Sequence, residues 1–383
     1  MLPVLGILFF GYVFCRVILP LRLHWSWKVC FSAILLLTAF KFQILHFVGG
    51  GMFFSPNLPV FVLMLMAWLF TILFFFFFLL GASDVVRIGI YLYVLTKKRH
   101  LTKRFRIIGN RVNLGLLIIA ATLATIGIYA GTALPKVKEV TVKIENLPGN
   151  AEGMTIVLLA DLHADGLTRQ NRIRAIVERT NALKPDLIVI TGDFVDGSVA
   201  TRGKELLPLR ELSAMYGVFG VPGNHEYYSG YSEWMKYLST LGIQMLLNSH
   251  RTLPNGLVIA GVTDSTASRF GLETPDVARS LSGVPAESCK ILIAHRPTLA
   301  HDAVEQGIDL QLSGHTHGGL IWGLDKFFAS FNSGFSSGLY RVGEMQLYVS
   351  NGAGMWSGFP VRIGIPSEIT LVRLASATSK KSH

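Results

Sequence analysis

The sequence predicts an α/β domain carried behind an N-terminal region of four transmembrane helices. Three observations point there: long apolar runs confined to residues 1–135, an excess of positive charge confined to the same region, and five short apolar runs further on that each end in a metal-ligand residue type. The chain has 383 residues and is 51% hydrophobic, more than an ordinary soluble domain carries. Residues 136–383 are of average composition, so the excess is local.

Spans are expected over about 3–20, 29–49, 58–81 and 112–133, each near the ~20 apolar residues that cross a bilayer. Repeated spans argue against a single cleaved signal peptide, and they are too few, with too few intramembrane polar groups, for a transporter or channel. Residues 1–135 hold twelve Lys/Arg and one acid, Asp84, whereas residues 136–383 hold 23 of each sign. The net charge of +11 therefore reports membrane topology, and no nucleic-acid partner is expected. The loop after the third span carries Lys97, Lys98, Arg99, Lys103, Arg104 and Arg106; the loop before it, HFVGGGMFFSPN, has no Lys or Arg. The positive-inside bias places the basic loop, and the first loop with Arg22 and Lys28, in the cytoplasm. An integral cell membrane protein with an extracytoplasmic domain at 136–375 follows. Lys41 inside the second span reads as snorkelling, and Asp84 with Arg87 at i, i+3 as an interfacial ion pair.

Residues 134–150 read as a linker and a first edge strand, and 376–383 as a disordered polar tail. Cys15, Cys30 and Cys289 offer no disulfide framework, and Cys289 reads as a buried thiol.

TIVLLA runs into Asp161-Leu162-His163, DLIVIT into Gly192-Asp193, YGVFGVP into Gly223-Asn224-His225-Glu226, KILIA into His295, and IDLQLS into the SGHTHGG that holds His315 and His317. Runs of four to six β-branched and apolar residues predict buried strands. TRQNRIRAIVERTNAL and TLAHDAVEQG between them predict helices. An alternation of this kind makes a sheet covered on both faces, and ligands bind beyond the carboxyl ends of its strands. Asp, His and Asn donors without thiolate suit Mn, Fe, Zn or Co. The glycines at 192, 223, 314, 318 and 319 are read as letting the backbone turn sharply there.

In order and type, DxH, GDxxD, GNHE, H and GHxH resemble the calcineurin-like metallophosphoesterase superfamily. Here they stand as Asp161-Leu162-His163, GDFVD (192–196), GNHE (223–226), His295 and GHTH (314–317). The closing SNGAG and IPSEITLVRL are similar to its bacterial membrane-associated phosphodiesterase branch, although many relatives follow HTHGG with Gln where this chain has Leu320. The resemblance covers about 150–375 and implies a two-sheet sandwich flanked by helices. It implies two divalent ions, one on Asp161, His163 and His317, the other on Asn224, His295 and His315, with Asp193 shared. A metal-bridging hydroxide would attack phosphorus, and His225 would donate the proton or stabilise charge. Glu226 either orients that imidazole or simply starts a helix, and Asp196 either bonds a metal ligand or caps a turn.

The expected substrate is a phosphodiester, pyrophosphate or phosphomonoester, with a lipid-linked one suggested by Trp322, Phe327, Phe328, Phe331 and Phe335, unless those rings pack in the core. A nucleotide phosphodiesterase and a non-catalytic membrane sensor or scaffold are the alternatives.

Overall fold

The computed structural model describes residues 2–48, 55–97 and 103–377. They form two compact units. The first takes in the described residues up to Ala130 together with Gly358–Val361; the second takes in Gly131–Ser357 and the described residues from Arg362 onward. Lys98 and Arg99 of the basic loop, and 378–383 of the tail, lie outside the described residues.

In the first unit, two helices among the described residues are long and apolar enough to cross a membrane: Val60–Thr96 and Gly109–Thr132. Trp25–Ala39 and Lys41–Val48 meet at a 70° bend and count as a third span only if taken together. Pro3–Ile18 is shorter. The four continuous spans expected from composition are thus corrected to two, or three with the bent pair. The residues on both sides of the break are mostly apolar, so a hydropathy window passes over it.

Lys41, beside the bend, is buried rather than snorkelling. Its Nζ donates to Gly358 O at 2.8 Å and sits 4.3 Å from the Phe70 ring centre and 4.7 Å from that of Phe42. A buried ammonium needs such partners. Asp84 does not pair with Arg87 either. It accepts from Arg16 Nη2 at 2.7 Å and from Tyr12 Oη at 2.8 Å, while Arg87 donates to Gly109 O at 3.1 Å. The carboxylate is neutralised within the unit, and the helix expected to end near residue 81 continues to Thr96.

The second unit contains twelve strands: β1 (Lys136–Ile144), β2 (Thr155–Leu159), β3 (Leu187–Thr191), β4 (Val218–Val221), β5 (Gln244–Met245), β6 (Ser249–Thr252), β7 (Val258–Gly261), β8 (Lys290–Ile293), β9 (Leu310–Ser313), β10 (Gly338–Val342), β11 (Met345–Val349) and β12 (Glu368–Ser376). They make two mixed six-stranded sheets, ordered β1-β12-β2-β3-β4-β5 and β10-β11-β9-β8-β7-β6. β2, β3, β4 and β5 run parallel, as do β7, β8, β9 and β11.

Strand alternation explains the unbroken apolar runs. Ile156, Leu158, Leu187, Val189, Phe219 and Val221 bury one face of the first sheet in a core shared with Ile259, Ile291, Ile293, Leu310 and Leu312 of the second. The opposite residues of the first sheet, Val157, Leu159, Ile188 and Ile190, pack with Ile173, Ile176, Trp234 and Leu238 of the helices Gln170–Ala182 and Asn224–Thr240. A strand covered on both faces has no polar side to present. β1 lies at the sheet edge, as expected of the first strand, and Cys289 is buried in the shared core.

Candidate metal centre

The five strands predicted to deliver ligands are β2, β3, β4, β8 and β9, and each candidate ligand follows one of them by two to four residues. Backbone bonds tie the loops together. Asp161 N donates to Gly192 O at 3.2 Å, His163 N to Asp193 O at 2.9 Å, and Gly314 N to His295 O at 3.0 Å.

Two donor groups result. His295 Nε2 lies 3.1 Å from His315 Nδ1, 3.1 Å from Asn224 Oδ1 and 3.4 Å from Asp193 Oδ2. His163 Nε2 lies 3.1 Å from His317 Nε2 and 3.6 Å from the same Asp193 Oδ2. Asp161 groups with His163 and His317 within 4.8 Å. All seven residues singled out as ligands therefore come together, and one oxygen of Asp193 faces both groups.

Ring protons can be assigned along this network. His295 Nδ1 donates to Thr191 O at 2.8 Å, and His163 Nδ1 to Asp196 Oδ2 at 3.0 Å. Both rings thus turn an Nε2 lone pair inward, which is how metal-ligating imidazoles are held. Lone pairs of nitrogen and oxygen converging at about 3 Å repel unless a cation or proton lies among them, and this donor set fits divalent ions.

His225 stands beside both groups. Asp196 holds its Nδ1 through one oxygen and His163 through the other, so one carboxylate orients two imidazoles. Burial lowers the pKa of His225, but the Asp196 and Asp193 carboxylates push it up to about 10. Burial raises Asp196, yet the two imidazoles bring it down to about 2.

The backbone is strained where the donors emerge. Asp161, His163, Asp193, His315 and His317 have φ of 54°, 47°, 52°, 71° and 49°, each costing about 1–3 kcal/mol for a residue other than glycine. The glycine reading is revised in part. Gly223 has φ −98° and is needed for space instead: a Cβ there would meet Asp193 Oδ1 at 2.2 Å.

Sequence reasoning left Glu226 open between two roles; it does stand in the first turn of the helix Asn224–Thr240, and its carboxylate reaches beyond that helix. Its buried carboxylate accepts N–H bonds from Gly223 at 2.7 Å, Asp193 at 3.0 Å, Phe194 at 2.8 Å and Val195 at 3.3 Å. It joins the loops after β3 and β4. Arg362 was missed altogether. It is buried and donates to His317 O at 3.2 Å and to Asn351 O at 2.5 Å, supporting the last ligand loop. No local motif marks it, because its partners are backbone carbonyls of irregular segments, His317 O among them 45 positions away. Asp264, which pairs with Arg296 at 2.8 Å, was missed too, although the apolar run before it in VIAGVTD is the same signal, in β7, that revealed the candidate ligands.

The family profile of calcineurin-like phosphoesterases matches residues 154–319. A transmembrane protein with metallophosphoesterase domain from Danio rerio is 36% identical over 273 residues, 68% of this chain and 62% of that one. The match thus spans less than two thirds of that relative. A metallophosphoesterase of Helicobacter pylori is 35% identical over 284 residues, covering 74% of this chain and 75% of its own. One from Aquifex aeolicus is 32% identical over 241 residues, covering 62% and 91%. The chain belongs to the metallophosphoesterase family, enzymes that hydrolyse phosphoric ester bonds.

Replacing Glu226 by Gln tests the clamp. The amide keeps the shape but turns a second donor toward backbone N–H groups, each orphaned one costing about 1–3 kcal/mol. A lower thermal unfolding midpoint of the purified full chain is expected; a midpoint equal to wild type contradicts the role.

Proposed function

We propose that the protein is a membrane-anchored two-metal phosphoesterase acting on a phosphodiester or pyrophosphate bond of a lipid-linked substrate. The observation that carries the two-metal reading is Asp193 Oδ2, 3.4 Å from His295 Nε2 and 3.6 Å from His163 Nε2. Asp161, His163 and His317 would hold one ion, Asn224, His295 and His315 the other, and Asp193 both. When bound, the two cations supply charge for the phosphoryl oxygens and lower the pKa of a water.

The protein's own residues complete the chemistry. His225 is fixed through Nδ1 by Asp196, with Nε2 on the side of Asp193 at 3.9 Å. A protonated Nε2 held there can deliver its proton to the leaving oxygen. Asp161 accepts from His315 N at 3.0 Å, which fixes the last ligand loop against the first.

Three exposed aromatics support the lipid-linked reading. Trp322, Phe327 and Phe331 follow His317 closely and are 79%, 61% and 68% exposed, whereas Phe335 is buried and Phe328 half-buried. Core packing accounts for Phe335 and not for the first three. An apolar patch beside a phosphate-binding centre fits an acyl chain or a bilayer surface. Sidedness needs only the final span: a cytoplasmic basic loop before Gly109–Thr132 sends the following domain to the opposite face.

Four outcomes are expected. His225→Ala retains metal and loses about 10²–10⁴ in kcat; wild-type turnover contradicts its role. The enzyme hydrolyses phosphorylated lipids in vesicles faster than cyclic or linear nucleotides. Changing Phe327 and Phe331 together to Ser lowers the vesicle rate about tenfold or more while sparing a soluble ester; equal loss on both contradicts the lipid contact. A reporter fused at the C-terminus reads extracytoplasmic; a cytoplasmic signal overturns the proposed orientation.

A further inference from the structure

Arg296 directly follows the candidate ligand His295 and has a defined place in the centre. Its Nε donates to Asp264 Oδ2 at 2.8 Å, Nη1 to His315 Nε2 at 2.8 Å, and Nη2 to Asn224 Oδ1 at 3.2 Å and Thr266 Oγ1 at 3.3 Å. Its side chain keeps 24% exposure while that of Asp264 keeps 1%. Asp264 is in turn fixed, its Oδ1 accepting from Thr266 N at 2.8 Å. It follows β7, so a sixth strand of the same sandwich aims a functional group at the centre.

The way the carboxylate holds the guanidinium matters. Asp264 takes Nε and leaves the Nη1–Nη2 edge turned toward Asn224 and His315. That edge is a planar pair of donors suited to an oxyanion. A guanidinium only donates, so His315 Nε2 is an acceptor here and the ring proton sits on Nδ1. Nδ1 is the nitrogen that faces His295 Nε2. A cation held there needs the Nδ1 lone pair, which moves the ring proton to Nε2. Nη1 then loses its acceptor. Asn224 Oδ1, one of the two partners of Nη2 beside Thr266 Oγ1, belongs to the same donor group. Loading the centre thus frees Nη1, on the edge that faces the donors, while Asp264 and Thr266 keep the guanidinium in place.

We propose that Arg296, aimed by Asp264, is the clamp for the substrate phosphoryl group, donating from its Nη edge to the phosphoryl oxygens once the centre is loaded. This inference rests on the two-metal reading. It gives that site a residue that recognises a tetrahedral oxyanion independently of what the phosphate is attached to. The competing role, in which Arg296 merely organises His315 and Asn224, makes a different prediction about metal content.

The test uses the metal-loaded full chain and inorganic phosphate as the probe, with metal content measured on the same samples. Arg296→Gln is expected to weaken phosphate binding about tenfold or more, since a hydrogen bond to a charged group is lost. The metal content stays at the wild-type value and KM rises more than kcat falls. Arg296→Lys keeps the charge without the fork and is expected to fall between. Asp264→Asn shifts phosphate affinity in the same direction. Unchanged phosphate affinity in Arg296→Gln overturns the inference, as does loss of metal with phosphate affinity per loaded chain unchanged. If the wild-type chain itself takes up neither metal nor phosphate, the two-metal reading fails, and the clamp fails with it.

Discussion

Five residues at the centre of this domain hold a backbone conformation that side chains with a Cβ avoid. Asp161, His163, Asp193, His315 and His317 all have positive φ, and at about 1–3 kcal/mol each the loops would not adopt these angles alone. The surrounding sandwich over-determines them. Backbone bonds join the loop after β2 to that after β3, and the Glu226 carboxylate binds the loop after β3 to that after β4. Arg362 supports the last loop from beneath. Rigid sheets, buried on both faces, convert this strain into fixed positions for the donors.

The centre is built in layers of decreasing local visibility. The donors stand on the ends of apolar strands, where the pattern of hydrophobic run followed by Asp, Asn or His is readable within six or seven residues. The groups that orient them do not follow a pattern. Asp196 reaches two imidazoles from separate loops, and Arg362 reaches carbonyls 3 to 45 positions away in the chain. Their roles exist only once distant segments are packed. Electrostatics follows the same logic: each carboxylate at the centre is paired with at least one imidazole or several N–H groups, as burial of charge requires.

The legible part of the fold was likewise the local part. The five ligand-bearing strands and the helices at Gln170–Ala182 and Ala300–Glu305 could be read from apolar runs and period. The two-sheet sandwich was expected only through the family resemblance, and the strand order was not local: β12 near the C-terminus inserts between β1 and β2. In the helical unit, length and composition overstated the continuous spans. The bend at Phe40 and the pairing of Asp84 with Arg16 depend on tertiary partners, Gly358 for Lys41 and Arg16 for the carboxylate. Local pattern alone suggested that the pair would be Asp84 with Arg87, since it weighs neighbours along one helix and not across several.

The central claim is that Asp193 joins two donor groups into one centre. Elemental analysis of the purified chain, wild type beside Asp193→Asn, tests it most directly. The account predicts about two divalent ions per wild-type chain and loss from both groups in the variant, because a single oxygen serves the two. Wild-type protein that retains no divalent ion, or a variant with undiminished metal content, would contradict it.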